Sequence, residues 1–470
     1  MNRVVVIDIV GLSSSVIGEH TPFIESFIQR KQLQRIKPVL PAVTTTAQST
    51  YLTGKLPSSH GIVGNGWYDR EESEIKFWKQ SNGFVQSESL WTTAKRINPN
   101  FTCAQMFWWY NMYNGADFSV TPRPNYLADG RKMPDCYAYP SSLRDELTEK
   151  LGKFPLFNFW GPNANVKSSE WIANAAMYVE DKHQPTLNLV YLPHLDYCLQ
   201  KFGPDFSSIK QELKEIDTLV NRMVDYFEGR GVEVILLSEY GIGPVSHAIH
   251  INRILREANL IDIRVERGLE LLDAGSSQAF AVADHQIAHT YTKSTTVTDK
   301  VIHLLKGVKG IAKVLSKSQQ AAYGIDHDRS GDIVLIAEPN AWFTYYFWLD
   351  DSKAPGYARM VDIHKKPGYD PVEMFMTSKS RAIYKLLLRK IGFRAILDVI
   401  PLDASLVKGS HGAVDIDNKY FPLLIADNAQ VNGDDATRVR DFILEKIFGK
   451  NISNGVGQAV TLEHQYLHSM

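Results

Sequence analysis

The sequence predicts an α/β fold, with a doubly wound, mostly parallel sheet and a small α+β insert. Apolar runs at residues 4–7 and 232–237 are as short and as rich in β-branched residues as strands buried on both faces of a sheet. Residues 209–229 repeat apolar side chains at helical spacing. Because strands and helices alternate along much of the chain, a doubly wound sheet is the architecture that this order favours.

The other elements follow from the same patterns. Residues 44–53 are polar, but the Gly54 that follows them is typical of a helix C-terminus and predicts a short helix there. The core is further expected to contain a helix over 22–29, strands over 36–40 and 186–192, and returning segments near 393–399 and 421–426. The insert is expected to contain strands over 279–283, 311–315 and 332–337 and a helix over 297–305. These boundaries predict a catalytic core of residues 1–263 and 393–450, an α+β cap over 264–392 and a loose tail over 451–470.

Composition excludes several classes of function. The 51 Lys+Arg residues balance 52 Asp+Glu residues, so the chain lacks the basic surface that a nucleic-acid polymer requires. Only 3 Cys are present, at wide spacings (Cys103, Cys136 and Cys198), which argues against a disulfide framework and a sulfur-ligated zinc site. Any metal would therefore be held by carboxylates and by some of the 14 His.

No targeting signal is evident in the sequence. The N-terminal apolar run reaches Asp8 too early for a signal peptide, and no window approaches about 18 consecutive apolar residues. We therefore expect a cytoplasmic protein without a membrane span.

Polar side chains with catalytic potential follow several apolar runs. Because ligands bind at the carboxyl ends of strands in open α/β sheets, these positions indicate a shared site. Each residue could instead cap a turn or a helix. Together, carboxylates and a His around a hydroxyl suit metal-assisted phosphoryl transfer. The residues are Asp8, Thr44, Asp196, Glu239 and His411.

Residues 41–69, PAVTTTAQSTYLTGKLPSSHGIVGNGWYD, resemble the nucleophile segment of the alkaline phosphatase superfamily, in its type I phosphodiesterase/nucleotide pyrophosphatase branch. In that branch a Thr begins a helix that ends in Thr-Gly, followed by Pro, Ser-His-Gly and an Asn. The resemblance implies an alkaline-phosphatase-like fold and a nucleophile at Thr44, with Thr45 and Thr46 as neighbours. It also implies that Asn65 contacts a phosphoryl oxygen, and that two divalent metal ions are bound. Zinc is the expected metal, with manganese or magnesium as alternatives.

The sequence departs from that family at several metal ligands. Val10 stands before Gly11 where the family has Asp, so the acid Asp8 is displaced. Gln200 replaces a His, and Glu239-Tyr240 replaces an Asp-His pair. Gln and Tyr are weak zinc ligands, so the metal site is either rebuilt or altered in affinity.

Other residues could replace the missing ligands. His364 lies in a dense polar run and is included in the expected metal set with Asp8, Thr44, Asp196, Glu239 and His411. Residues 279–292 alternate like a strand, which would place His285 and His289 on one side, although a solvated sheet face explains them as well. The weaker candidates are His194, Gln200, Tyr240, His250, Asp284 and His285.

A second group of residues could bind substrate. Asn65 and Trp67 follow the nucleophile segment, and the aromatic run at 106–113 could stack on a base or cover an apolar group. Arg123, Arg131 and Lys132 could pair with phosphate. A packed strand followed by a surface loop is the alternative interpretation of these two segments.

The leading hypothesis is a metal-dependent hydrolase of small phosphate mono- or diesters that forms a covalent intermediate on Thr44. A phosphomutase or a phosphonate hydrolase of the same superfamily is an alternative. A third possibility is a binding protein with a degenerate metal site, suggested by Gln200 and Tyr240.

Overall fold

The computed structural model describes residues 1–128, 131–393, 395–429 and 434–449. The predicted loose tail, 451–470, lies outside the described residues. Among the described residues, no helix is long and apolar enough to cross a membrane. The predicted cytoplasmic location stays a prediction.

An eight-stranded sheet forms the centre of the main core. Its five central strands run parallel to one another, and the outer pairings are antiparallel. A mostly parallel sheet is what the buried apolar runs predicted. The order across the sheet is Gln32–Arg35, Leu423–Ala426, Glu233–Leu237, Val4–Ile9, Leu187–Leu192, Cys103–Met106, Phe118–Pro122 and Cys136–Tyr139.

Helices surround this sheet and bury their apolar sides in one continuous core. Phe206–Glu228, for example, buries Ile209, Leu213, Ile216 and Phe227, which recur at helical spacing. The α-helices are Pro22–Arg30, Thr44–Thr53, Pro57–His60, Leu90–Ile97, Ser142–Leu151, Leu156–Phe159, Lys167–His183, His194–Phe202, Phe206–Glu228, Ile251–Glu257, Thr295–Leu305, Lys317–Gln320, Lys379–Lys390 and Val439–Phe448.

A second, four-stranded antiparallel sheet lies within residues 264–392 and has its own hydrophobic cluster. Its order is Ala279–Asp284, Ile287–Thr292, Ile333–Ala337 and Ile311–Ser316. Thr295–Leu305 packs against three of its strands. The remaining strands form two-stranded pairs: Gly66–Asp69 with Glu74–Phe77, Asn125–Tyr126 with Lys132–Met133, Gly243–Pro244 with Gly409–Ser410, His247–Ile249 with Ala341–Phe343, and Asp262–Glu266 with Leu269–Asp273.

Two expected core segments are wrong. The strand predicted over 36–40 lies instead at Gln32–Arg35, because Pro38 and Pro41 lack the N–H groups that a sheet ladder needs. The described residues of the other segment, 393 and 395–399, form no strand: the Phe393 side chain is 63% exposed, and in the described part of the chain the return to the main sheet is at Leu423–Ala426. An apolar run alone does not distinguish a buried strand from an exposed apolar surface.

Candidate active site

Three neighbouring parallel strands bring acidic side chains to one edge of the main sheet. Asp8 lies near the end of Val4–Ile9, and Glu239 lies two residues beyond Glu233–Leu237. Asp196 lies in the first turn of His194–Phe202, directly after Leu187–Leu192. All three side chains are buried. The carboxyl ends of adjacent parallel strands meet, so these residues converge.

The helix Thr44–Thr53 begins at the same edge, and its first residue faces the acidic group. The Oγ1 of Thr44 lies 2.9 Å from the hydroxyl oxygen of Tyr240. By contrast, Thr45 donates its hydroxyl proton to the Gly64 carbonyl at 2.8 Å, and Thr46 donates to the Ile62 carbonyl at 3.1 Å. Of these three threonines, only Thr44 therefore presents its hydroxyl to the strand ends.

Asp8 and Glu239 form a buried carboxyl pair beside Thr44. The Nε2 of Gln48 donates to Glu239 Oε1 at 2.6 Å and to Asp8 Oδ2 at 3.4 Å. Burial raises the pKa of Asp8 to about 7. Burial and the neighbouring Asp8 raise the pKa of Glu239 well above its usual range. The second oxygens, Asp8 Oδ1 and Glu239 Oε2, are buried without a hydrogen-bond partner.

Tyr240 joins Thr44 to a second cluster around Asp196. The Tyr240 hydroxyl donates to Asp196 Oδ1 at 3.3 Å, while Gln200 Nε2 donates to Asp196 Oδ2 at 2.8 Å. The Tyr240 ring stacks on the His411 ring, with centroids 3.6 Å apart. Burial raises the pKa of Asp196 to about 7 and lowers the pKa of His411 well below its usual range. Tyr240 therefore fills the space between Thr44 and this cluster.

The imidazole of His411 is oriented by the backbone. Its Nδ1 lies 2.7 Å from the carbonyl oxygen of Ala42, two residues before Thr44. Its Nε2 lies 3.5 Å from Asp196 Oδ1 and has no hydrogen-bond partner. A neutral His that donates from Nδ1 presents the lone pair of Nε2 to the site.

The insert completes the site through the turn of a hairpin. Residues 285 and 286 connect Ala279–Asp284 to Ile287–Thr292, and His285 has a φ of +61°. The predicted continuous strand through His285 is therefore wrong, because the chain reverses there. His285 Nδ1 lies 2.8 Å from Asp284 Oδ1, and its ring stacks on Tyr369 at 3.6 Å. The ring also lies 3.9 Å from that of His411. His289 is elsewhere, with Nε2 2.9 Å from the Val63 carbonyl.

Asn65 links this hairpin to the Thr44 helix. Its backbone N–H donates to Asp284 Oδ2 at 2.8 Å, and its side-chain Nδ2 donates to Asp284 Oδ1 at 3.1 Å. Its Oδ1 accepts from the Thr45 N–H at 3.2 Å. Burial raises the pKa of Asp284 to about 6, and the bonds from Asn65 oppose that rise. The two segments therefore hold each other in position.

Aromatic rings lie beside the site. The ring centroids of Trp78 and Trp109 lie 4.9 Å apart, and the backbone N–H of Trp109 donates to Gln48 Oε1 at 2.7 Å. Tyr369 donates its hydroxyl to Gln200 Oε1 at 2.9 Å. Its ring lies 5.8 Å from that of Trp160 and 6.1 Å from that of Trp78. Trp109 comes from the aromatic run at 106–113.

Other expected metal ligands have different neighbours. His364 Nδ1 lies 3.4 Å from the Phe77 carbonyl. His250 Nδ1 lies 2.8 Å from Thr344 Oγ1, and burial lowers the pKa of His250 to about 4. His194 Nε2 lies 3.8 Å from Glu215, and burial lowers the pKa of His194 to about 4.

The expected substrate-binding residues are also dispersed. Trp67 is buried beneath the Arg329 guanidinium and packs on the Phe84 ring, 5.8 Å away. Arg123 is exposed, with Nη1 3.9 Å from the sulfur of Met112. Arg131 is exposed, and the neighbouring Lys132 lies 5.5 Å from the Tyr126 ring, on the hairpin Asn125–Tyr126/Lys132–Met133.

The chemistry of the available ligand atoms shows which of the cations implied by the resemblance these residues could hold. At Thr44, the unpartnered carboxyl oxygens of Asp8 and Glu239 join a hydroxyl, an all-oxygen set that suits magnesium or manganese. At Asp196, both carboxyl oxygens already accept hydrogen bonds from Gln200 and Tyr240. Within the described residues, no three His, Cys, Asp or Glu side chains are grouped closely enough to hold a metal. The arrangement fits one hard cation at Thr44, whereas the unpartnered donor atoms beside Asp196 are the ring nitrogens His411 Nε2 and His285 Nε2.

Sequence reasoning missed two residues of this site. Gln48 lies four positions after Thr44, so the helical period already placed it on the same face. Tyr369 comes from a distant loop, and no local pattern connects it to Gln200 or His285.

Known proteins with similar sequences belong to the family that the sequence resembles. The sequence profile of the family described as type I phosphodiesterase / nucleotide pyrophosphatase matches residues 4–370. An uncharacterized pyrophosphatase/phosphodiesterase of Schizosaccharomyces pombe is 25% identical over 274 residues, which are 56% of this chain and 48% of that protein. The chain thus spans about half the length of this curated relative.

Two solved structures are similar over nearly the whole chain. Murine ectonucleotide pyrophosphatase / phosphodiesterase 5, in an inactive threonine-to-alanine variant with AMP, gives a TM-score of 0.58 at 14% identity and covers 95% of both chains. Phosphonoacetate hydrolase from Sinorhizobium meliloti 1021, in complex with phosphonoformate, gives 0.58 at 14% identity, covering 93% of this chain and 95% of that one. These similarities confirm the predicted fold class.

Proposed function

Because the chain belongs to the type I phosphodiesterase / nucleotide pyrophosphatase family, we propose that it hydrolyses small phosphate esters with Thr44 as the nucleophile. The observation that carries this proposal is the position of Thr44. Its hydroxyl opens a buried helix and faces Tyr240, whereas the hydroxyls of Thr45 and Thr46 donate to backbone carbonyls. The murine neighbour with AMP supports this role, because its inactive variant has alanine in place of a threonine.

In the proposed reaction, Thr44 Oγ1 gives up its hydroxyl proton and attacks phosphorus, and the ester oxygen leaves with its electron pair and takes up a proton. The phosphorylated Thr44 is then hydrolysed by water, which restores the hydroxyl. The N–H of Thr45 already donates to Asn65 Oδ1, whereas the N–H of Thr44 has no partner within the helix and can bind an anionic phosphoryl oxygen. Asn65 donates its backbone N–H to Asp284 and accepts a hydrogen bond from the Thr45 N–H, so it fixes the start of this helix relative to Asp284. Burial of Thr44 keeps bulk water away from the nucleophile.

Asp8, Glu239 and Thr44 are the residues that would hold a divalent cation. Such a cation lowers the pKa of a bound hydroxyl and offsets negative charge on the phosphoryl group. The oxygen-only donors favour magnesium or manganese over the zinc expected from the sequence. The proposal is therefore a single cation at the nucleophile, in place of the expected pair.

Substrate class follows from the surroundings of Thr44. The rings of Trp78 and Trp109 offer faces on which a base could stack, and the murine neighbour contains AMP. A nucleotide ester is therefore the first substrate to test. Arg123, Arg131 and Lys132 stay proposed phosphate contacts.

The test is turnover of bis(p-nitrophenyl) phosphate, p-nitrophenyl phosphate and the p-nitrophenyl ester of thymidine monophosphate, each with magnesium, manganese or zinc. We expect release of p-nitrophenol by the wild-type chain and a loss of at least about 1000-fold in Thr44→Ala. Thr53→Ala is the matched control, because Thr53 lies at the far end of the same helix and donates to Ser49. Full activity of Thr44→Ala would overturn the assignment of Thr44 as the nucleophile. Absence of turnover with every ester and cation would favour the binding-protein alternative.

A further inference from the structure

A basic segment leaves the second hydrophobic cluster and returns to the same point. Thr377 closes its base, donating from its backbone N–H to the Val399 carbonyl at 2.8 Å and from its hydroxyl at 3.1 Å. The residues between, 378–398, are here called the basic excursion, and all but residue 394 are described. They contain the helix Lys379–Lys390, in which no residue is buried. A 12-residue helix without a buried side chain gains little from packing on its own protein.

The basic excursion exposes an unusual concentration of large apolar side chains. In a soluble protein such side chains are normally scattered, and a contiguous patch marks an interaction surface. Most lie on the outer side of the helix, and the rest continue beyond its C-terminus. They are Ile383 (58% exposed), Tyr384 (59%), Leu386 (53%), Leu387 (56%), Ile391 (69%), Phe393 (63%) and Ile396 (60%).

The same segment is strongly positive. The basic excursion, residues 378–398, contains one acidic residue, Asp398, although the whole chain has a net charge of −1. Six basic residues fall within this stretch: Lys379, Arg381, Lys385, Arg389, Lys390 and Arg394. A positive segment in a chain that is nearly neutral overall indicates an anionic partner for that segment.

Contacts with the returning chain fix which side of the helix faces outward. Arg381 and Lys385 pair with Asp398 at 2.6 and 3.2 Å, and Arg389 Nε donates to the Ala395 carbonyl at 2.5 Å. These three residues are four positions apart and share one face. Ile383, Leu386 and Leu387 lie on the opposite side, where they stay exposed. Lys379 and Lys390, also exposed, flank that apolar face at the two ends of the helix.

We propose that the basic excursion docks this protein on the surface of an anionic lipid bilayer. The apolar face enters the boundary between head groups and acyl chains, while Lys379 and Lys390 reach lipid phosphates. A helix of 12 residues is too short to span the about 20 residues of a bilayer core, so it lies in the interface.

Charge and shape distinguish this occupant from the alternatives. A second copy of the chain would bring two positive segments together, which like-charge repulsion opposes. An acidic groove in another protein would cover one helix face, but the exposed apolar residues extend beyond the helix to Ile396. A bilayer accepts a broad apolar surface with a basic margin.

The base of the excursion lies close to the candidate active site. Lys201, which follows Gln200, lies 5.7 Å from the Phe375 ring, and Phe375 lies near the start of the excursion. Burial lowers the pKa of Lys201; the charge of Glu212 opposes this lowering, and the charge of Lys379 adds to it. Docking through this segment would therefore hold the helix that carries Asp196 near the bilayer.

Flotation of the full chain with vesicles tests the proposal. We expect binding to vesicles of phosphatidylcholine with phosphatidylglycerol, none to phosphatidylcholine alone, and weakening as sodium chloride screens the attraction. Leu386→Ser with Leu387→Ser should abolish binding, and Lys379→Gln with Lys390→Gln should weaken it by at least about tenfold. The matched controls are Val265→Ser, an apolar residue 64% exposed on another surface, and Lys210→Gln, an exposed residue of Phe206–Glu228.

Circular dichroism should show that all variants are folded. Failure of the wild-type chain to bind either vesicle would overturn the proposal, as would equal losses in the control variants. A dimer that dissociates in Leu386→Ser with Leu387→Ser, observed by sedimentation without vesicles, would assign the face to a second copy and also overturn it. Activity on soluble esters is expected to be unchanged in these variants, so the result is independent of the proposed reaction.

Discussion

The hydroxyl oxygen of Tyr240 lies 2.9 Å from Oγ1 of Thr44. The resemblance leads to the expectation of a metal-ligating His at this position. Burial is the main cause that raises the pKa of Tyr240 well above its usual range, so the phenol stays neutral and acts through hydrogen bonds. This contact connects the proposed nucleophile to the Asp196 cluster, because the same hydroxyl also donates to Asp196 Oδ1.

Tyr240→Phe should lower kcat by about 10- to 100-fold with little change in KM, because it removes a hydrogen-bonding group from the nucleophile while leaving the ring in place. The measurement is steady-state turnover of the p-nitrophenyl esters. Tyr345→Phe is the control, since the Tyr345 hydroxyl is buried without a partner. An unchanged kcat in Tyr240→Phe would show that the contact has no part in the reaction.

Cation binding should depend on the carboxyl pair and not on Asp196. We expect about one manganese ion per chain by calorimetry, with affinity reduced at least tenfold in Glu239→Gln, a change of about 1.4 kcal/mol or more. Asp196→Asn should change the affinity by less than about threefold, because Gln200 and Tyr240 already occupy its oxygens. Two ions per chain, with equal losses in both variants, would contradict the single site.

The pH dependence of stability should change in Asp8→Asn. Burial raises the folded-state pKa of Asp8 to about 7 from an unfolded value near 3.8, so the folded chain holds more protons between these values. Its contribution to stability is complete below about pH 4 and is lost as the pH rises through 7.

Urea unfolding with a chelator present should therefore show a stability advantage of Asp8→Asn over wild type that is about 3 kcal/mol larger at pH 7.5 than at pH 4.5. The buried His residues are common to both chains, so their opposite dependence cancels in the difference, whereas the pKa of Glu239 is raised by burial and by Asp8 and loses the second cause in Asp8→Asn. A gain that is the same at both pH values would exclude titration of Asp8 as its cause.

Lys366 should be essential to the loop that carries Tyr369. Its ammonium is buried and lies 2.7 Å from both Asp370 and Glu373. Lys366→Met would leave two buried carboxylates without a counter-charge, which should lower the free energy of unfolding by about 3–5 kcal/mol. Lys365→Met is the control: Lys365 is exposed and lies 3.4 Å from Asp362, and it should cost less than about 1 kcal/mol. Thermal unfolding of both variants provides the comparison.

Much of the fold could be predicted because its signals are local. The apolar runs at 4–7 and 232–237 lie in adjacent parallel strands, and residues 44–53 form the predicted helix before Gly54. The family resemblance is confirmed by the profile match over residues 4–370. Predictions failed where a local pattern has two meanings. Apolar residues at 393–399 were compatible with a core strand, but Phe393 is exposed.

The sequence by itself determined the elements and the strand ends at which Asp8, Asp196 and Glu239 lie, because strand and helix periodicity depends on neighbouring residues. Tertiary structure decided which hydroxyl of the three threonines faces those acids, and that Tyr240 fills the space beside Thr44. It also decided which apolar side chains of the basic excursion stay outside the core. These outcomes depend on contacts between residues far apart in the chain, which packing creates and local sequence does not encode.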